Sequence, residues 1–190
     1  IVCDKGSSSY RKSIYPDYKA NRKEKFENQT EEERLAFEEF FAEFEKTLLQ
    51  IETIYPVLRF DSTEADDIAA YIVGKSNKYP KITDIWLISS DKDWDLLINE
   101  HTSRFSYVTR KETTWDNWHT HYDCAPEDYI SIKCLNGDPG DNVKGVEGVG
   151  PKRALELVKQ FGSAMDIVAC LPINSKYKYI QSLNASGDII

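Results

Sequence analysis

Residues that build thiol or imidazole metal centres are scarce in this sequence. Its four cysteines (Cys3, Cys124, Cys134, Cys170) form no CxxC pair and have no histidine at zinc-ligand spacing, which excludes a zinc finger or ribbon. They are expected to be reduced and mostly buried. The three histidines, His101, His119 and His121, are too scattered to form a ligand set and read as ordinary polar residues. Long apolar runs are missing as well: a stretch such as Ile68 to Val73 is far too short to span a bilayer, so no membrane partner is expected. An overall positive charge is also absent. The formal net charge is −8, which at first argues against a phosphate-rich ligand.

The distribution of charge matters more than its sum. Between Tyr10 and Lys25 stand Arg11, Lys12, Lys19, Arg22, Lys23 and Lys25 against only Asp17 and Glu24, a local excess of four positive charges (six minus two). Many acids, by contrast, sit in short tight groups, which either face water or hold cations. With 41% apolar and 29% charged residues, the 190-residue chain suits one compact domain with at most a small helical subdomain.

Along the chain, Ile1 to Cys3 reads as the end of a buried strand with Asp4 at its tip. Thr30 and Glu33 form a capping box, predicting a helix to about Ile54. Its inward face would carry Phe37, Phe40, Phe41, Phe44, Leu48 and Ile51. A strand is expected around Val57 to Phe60. Thr63 then reads as the cap of an apolar helix, Asp84 to Ser89 as a buried strand, and Ser103 to Thr109 as a strand alternating through Phe105 and Tyr107. Alternating strands and helices favour an α/β fold with a mainly parallel sheet. From Pro126 onward only helices and glycine turns are expected.

Four acidic groups stand out: Asp4; Glu64, Asp66 and Asp67; Asp91 and Asp93; Asp138 and Asp141. In an open parallel sheet, strand ends line the crevice where ligands bind. Singly, each group is ordinary cap or turn chemistry. Gathered together, eight carboxylates would raise one another's pKa values, and hard divalent cations with all-oxygen ligands, Mg²⁺ or Mn²⁺, would relieve the repulsion. The segment Gly145 to Ala154 reads as a tight turn opening a helix, with Gly148 and Gly150 supplying backbone freedom and Pro151 at the first helical position. Lys152 and Arg153 beside that helix N-terminus suit a DNA phosphate. Tyr18 to Arg22 would place Lys19 and Arg22 on one side of a helical turn, where phosphate chemistry needs positive groups.

Asp4 with its Lys-Gly loop, YKANR at 18–22, TEADD at 63–67, SSDKDWD at 89–95 and LNGDPGDNVKGVEGVGPKRA at 135–154 together resemble the 5′ nuclease (flap endonuclease) family, its bacteriophage branch above all. The resemblance runs on through LPINSKYKYIQSLNAS. It implies a PIN/Rossmann-like central sheet flanked by helices, a helical arch at about residues 10–50, a nuclease core over 1–125, and a helix–three-turn–helix DNA-binding region over 126–190. It further implies that Asp4, Glu64, Asp66, Asp67, Asp91, Asp93, Asp138 and Asp141 hold two divalent ions or support their ligands. Lys19 and Arg22 would stabilise charge on the scissile phosphate, and Tyr18 would stack on an unpaired base. Lys133, Gly148, Gly150, Lys152 and Arg153 would meet the DNA backbone. Carbonyls of Lys144, Val146 and Val149 would hold a K⁺. The implied partner is DNA with a 5′ flap, nick or free 5′ end, and the implied setting is the cytoplasm of a bacterial or phage-infected cell. A non-catalytic junction-binding module and a nuclease preferring RNA or RNA–DNA hybrids are the alternatives. The family opens with a strand carrying its own aspartate, which is not found here, so the chain is expected to be a fragment, or a protein whose first strand lies in another chain, and to be monomeric when complete.

Overall fold

The computed structural model describes residues 1–188 and 190, in two compact units, Ile1–Lys75 and Ser76–Ile190. Among the described residues no helix is long and apolar enough to cross a membrane.

The first unit is helical. It contains α1 (Ser9–Ile14), α2 (Ala20–Glu27), α3 (Glu31–Glu52) and α4 (Ala65–Lys75). The capping box that starts α3 forms as expected: the Thr30 hydroxyl accepts from Glu33 N at 3.2 Å, and the Glu33 carboxylate accepts from Thr30 N at 2.8 Å. The helix ends close to the expected place, but its aromatic face is not core. Phe40 is 62% exposed and only Leu48 of this helix is buried. The rings cover one another instead, with Phe37 and Phe41 centroids 4.6 Å apart and Phe26 of α2 against Phe37 at 5.4 Å. The expected strands at Ile1–Cys3 and Val57–Phe60 reduce to one parallel bridge between Val2 and Leu58, and Ile1 is exposed. Thr63, expected to cap α4, donates its hydroxyl to Asp61 O at 3.2 Å. The Ala65 N–H that opens the helix is taken by Asp4 Oδ1 at 2.6 Å. A carboxylate against a helix's first free N–H groups is favoured by both the hydrogen bond and the macrodipole.

The second unit contains a three-stranded sheet in the order β1 (Ile85–Ile88), β2 (Thr102–Ser106), β3 (Lys111–Thr113). The first pair is parallel, with Ile88 opposite Phe105, and the second antiparallel. Two expectations about the strands' faces are corrected. In β1 only Leu87 is buried, while Trp86 and Ile88 are exposed. In β2 the buried face is polar, formed by Thr102, Arg104 and Ser106, with Tyr107 beyond the strand and exposed. The cause is Arg104, whose guanidinium has a buried partner described below.

The helices α5 (Pro126–Asn136), α6 (Pro151–Phe161), α7 (Ala164–Ala169) and α8 (Lys178–Asn184) follow. Between α5 and α6 lies a small hairpin of β4 (Gly137–Asp138) and β5 (Val143–Lys144), an addition to the all-helical expectation for this region. The hairpin is tight enough that a Cβ on Gly145 would lie 2.1 Å from Asn136 O, so only glycine fits there. Leu135, Ala154, Leu157, Ile167, Ile180 and Leu183 form the apolar core of these helices. No cysteine is in a disulfide; Cys170 is exposed and the other three are half-buried, which corrects the mostly buried expectation.

Candidate active site

The eight motif carboxylates divide four and four between the units, Asp4, Glu64, Asp66 and Asp67 in the first and Asp91, Asp93, Asp138 and Asp141 in the second. Among the described residues no three His, Cys, Asp or Glu side chains gather into a group able to hold a metal ion. Basic groups of the chain hold Glu64, Asp67, Asp93 and Asp138 instead.

In the first unit Glu64 lies just before α4 and is 3% exposed. Its Oε2 accepts the Tyr18 hydroxyl at 2.8 Å and the Lys19 ammonium at 2.8 Å, and Arg11 Nη1 stands 3.8 Å away. Arg11 also grips Asp67 with both arms, at 2.6 and 2.8 Å, the fork geometry that makes guanidinium–carboxylate pairs strong. Burial pushes the Glu64 carboxyl up, but Lys19 and Tyr18 outweigh it and leave its pKa below the ordinary value. The Arg11 hydrogen bond likewise holds Asp67 low. The expectation of mutually raised pKa values is therefore reversed for these two acids, because each meets a cation before it meets another acid.

Lys19 is not inside a helical turn. It precedes α2 in the left-handed region, at φ 56°, an uncommon conformation for a residue with a side chain. That backbone turns its ammonium over the Tyr18 ring, 4.9 Å from the centroid, and onto Glu64. Arg22 is exposed in the first turn of α2. Tyr18 is buried, with its hydroxyl engaged and Arg11 and Lys19 near its ring, so it offers no open face to a base. That corrects its expected stacking role.

In the second unit β1 ends at Ile88, and the following acids lie in a 3₁₀ turn, Lys92–Leu97, rather than on an extended strand. Asp91 caps this turn, its Oδ1 accepting Asp93 N at 2.9 Å. The turn is anchored from beneath by Asp95, which is fully buried. Arg104 donates to both its oxygens, one at 2.8 Å, and the Tyr122 hydroxyl donates to Oδ2. Arg104 also bonds Ser89 O at 3.1 Å, joining the end of β1 to the turn. Burial pushes the Tyr122 hydroxyl far up, and the Asp95 bond adds to it. Sequence reading did not single out Asp95, Arg104 or Tyr122; an arginine sharing its strand face with Thr102 and Ser106 was the available signal.

Lys133 on α5 bonds Asp93 and stands 3.5 Å from Asp138 Oδ2. Burial depresses the Lys133 pKa, and Asp93 and Asp138 more than offset that. Asp138 caps its own turn, with Oδ1 accepting Gly140 N at 2.9 Å. Lys133 and Lys152 both line a cleft of about 410 Å³ together with Tyr122, Tyr129, Asn136 and Pro151.

The glycine turn is built as expected in one respect and differently in another. Gly148 has φ +77°, and Pro151 opens α6. Gly150 is extended (φ −99°, ψ −177°), and a Cβ on it would meet nothing within 4 Å, so its expected backbone freedom is not used. Arg153 donates to Gly148 O at 2.5 Å and lies 4.7 Å from the Tyr179 ring centroid, which makes it a brace for the turn. Of the three carbonyls expected to hold K⁺, that of Val146 accepts Val149 N at 3.0 Å.

The acids here are hard oxygen donors, and Lys133 already places a cation between two of them, so the donor chemistry fits a divalent ion. An α/β part whose acids lie at turns, followed by helices with a glycine turn before α6, matches a class in which a resolvase-like domain is joined to a SAM-like one. Residues 1–123 match the profile of the 5′-3′ exonuclease N-terminal resolvase-like domain, and residues 124–189 that of the 5′-3′ exonuclease C-terminal SAM fold. The chain belongs to the 5′-3′ exonuclease family. It is 41% identical to the flap endonuclease of Escherichia phage T5 over 191 residues, which covers all of this chain and 65% of that protein. It is 27% identical to flap endonuclease Xni of Shewanella oneidensis, across 90% of this chain and 61% of that one. The chain thus spans less than two thirds of these relatives. The phage T5 protein co-crystallised with metal ions superposes with a TM-score of 0.94 at 41% identity, over 99% of this chain and 70% of that one. A phage T5 flap endonuclease complex with DNA and metal ions gives 0.92 at 41% identity, over 99% and 69%.

Proposed function

We propose that this chain is the nuclease part of a structure-specific 5′ nuclease that hydrolyses DNA phosphodiester bonds near a duplex–single-strand junction and leaves a 5′-phosphate. The observation that carries this reading is the matched charge at the site: Glu64 and Asp67 against Lys19 and Arg11, and Asp93 and Asp138 against Lys133. Such an arrangement suits a phosphate, whose oxygens can take the cations while the freed carboxylates take metal ions. The metal- and DNA-bound forms of the phage T5 relative support the same reading.

Asp4, Glu64, Asp66, Asp67, Asp91, Asp93, Asp138 and Asp141 are the acids that would hold divalent ions, Mg²⁺ or Mn²⁺, or support their ligands. Held by these residues, such ions would lower the pKa of a water and offset charge on the phosphate. Lys19, fixed by Glu64 and the Tyr18 ring, presents an ammonium to the scissile phosphate, and Arg22 supplies a second positive group. The Asp95–Arg104–Tyr122 network keeps Asp91 and Asp93 in place. Lys133, Lys152 and the Gly148 turn contact the duplex backbone, which positions without reading sequence. A K⁺ held by carbonyls of Lys144, Val146 and Val149 would add a cation at the same turn. A 5′-labelled flap substrate tests the proposal. Cleavage in Mg²⁺ that EDTA abolishes supports it, whereas binding in EDTA with no turnover in Mg²⁺ or Mn²⁺ makes the chain a junction-binding module.

A further inference from the structure

We propose that Tyr177, backed by Tyr179, is a stacking platform for an unpaired nucleobase of DNA held at the glycine turn; the inference rests on the DNA-binding reading of that turn. The two rings lie 5.8 Å apart at an interplanar angle of 24°, an offset stack. Tyr177 nevertheless remains 57% exposed.

The backbone under the platform is fixed. Tyr177 is the residue that opens α8: its N–H donates to Ser175 Oγ at 3.2 Å, and its carbonyl accepts from Ile180 and Gln181 N at 3.0 and 3.1 Å. The same helix is anchored by Ile180 and Leu183, both in the apolar core. A ring on a fixed backbone and already stacked on Tyr179 loses less freedom when a base stacks on it.

The platform also belongs to the turn. A Cβ built on Gly148 would meet Tyr179 Cβ at 3.5 Å, so the tyrosine backbone lies close against that glycine. Arg153 ties the two together, donating to Gly148 O and lying over the Tyr179 ring. Lys176 and Lys178, both exposed, flank Tyr177 in sequence and add positive charge. Aromatic rings interleaved with lysines suit single-stranded nucleic acid, whose bases all have a π-face to offer. A base inside a duplex has both faces stacked, so the ligand is an unpaired or terminal base, of any identity.

The test uses the whole protein in EDTA, with two probes: a blunt duplex, and the same duplex bearing a single-stranded dT extension. Tyr177→Ala is expected to weaken binding of the extended duplex by about tenfold and to leave the blunt duplex unchanged. Tyr177→Phe should bind both probes like the parent. The slope of log affinity against log salt should not move, because stacking releases no counterions. Equal loss on both probes would make the ring a prop for the turn, and no loss on either would remove the platform. Gly148→Val separates the two readings, since it should weaken both probes. If it weakens neither, the turn reading fails whatever Tyr177 does.

Discussion

The Lys133 ammonium bonds Asp93 and stands 3.5 Å from Asp138, so one cation links an acid from the SDKDWD motif to one from the GDPGD motif. A side chain that neutralises two carboxylates holds them in place when no metal does, and yields them when one binds. Asp93→Asn and Asp91→Asn should each abolish cleavage while leaving flap binding within a few fold. Binding draws on the glycine turn and the basic groups, which these changes leave intact. Gel-shift affinities in EDTA set beside single-turnover rates in Mg²⁺ decide the matter, and near-normal turnover in both variants would remove the metal assignment.

Lys19→Ala should slow the chemical step by roughly 10²-fold, a loss of about 3 kcal/mol in transition-state stabilisation. The strained backbone at φ 56° and the Glu64 and Tyr18 contacts hold this ammonium in one position, as electrostatic catalysis requires. Arg22→Ala should act in the same direction. Single-turnover rates report the chemistry directly. If either change altered only the salt dependence of binding, that residue would be a plain phosphate contact.

Asp95→Ala should cost about 3 to 5 kcal/mol of stability, because it leaves the Arg104 charge buried without its carboxylate. Arg104 is 5% exposed and Asp95 2%. Urea unfolding measures the loss through a shift in midpoint at constant slope. A change below 1 kcal/mol would mean that water reaches the guanidinium.

Long-range pairing explains which parts could be read from the sequence. The α3 cap was legible because Thr30 and Glu33 are three residues apart and meet through their own backbone. The Gly148 turn and Pro151 were legible for the same local reason. The burial of Arg104 was not, since it depends on Asp95 nine residues away and on Tyr122. Nor was the pairing of Arg11 with Asp67, across 56 residues. Motif spelling identified the family and the acids, but it carried no information on which cation neutralises which acid. It therefore predicted mutual repulsion where Glu64, Asp67, Asp93 and Asp138 have ion pairs.

Acid should loosen the ion pairs of Glu64 and Asp67 before it unfolds the protein. Glu64 and Asp67 have folded pKa values below their ordinary ones, so their pairing stabilises the fold above the ordinary carboxylate range. That contribution is lost as pH falls through the lowered folded values. Lys133 acts in the opposite sense: its folded pKa is raised, so its contribution is present below the ordinary lysine value and lost only in strong alkali. Carboxyl titrations by NMR should show Glu64 and Asp67 protonating below free glutamate and aspartate. In Arg11→Ala the Asp67 titration should move back up, and an unmoved one would assign the shift to another cause.

Gly148→Val should weaken duplex binding, and equally for every sequence, because a β-branched residue resists a φ of +77°. The turn would have to change its backbone, and Arg153 would lose the Gly148 carbonyl it now holds. Lys152→Ala leaves the turn's shape alone and removes one exposed positive charge from the first turn of α6. A lysine against a phosphate releases about one counterion on binding, so the slope of log affinity against log salt should fall by about one unit. The two variants thus separate shape from charge: the first lowers affinity with little change in slope, the second changes the slope itself. An unchanged slope in Lys152→Ala, measured over the same salt range as the parent, would place this helix away from the DNA.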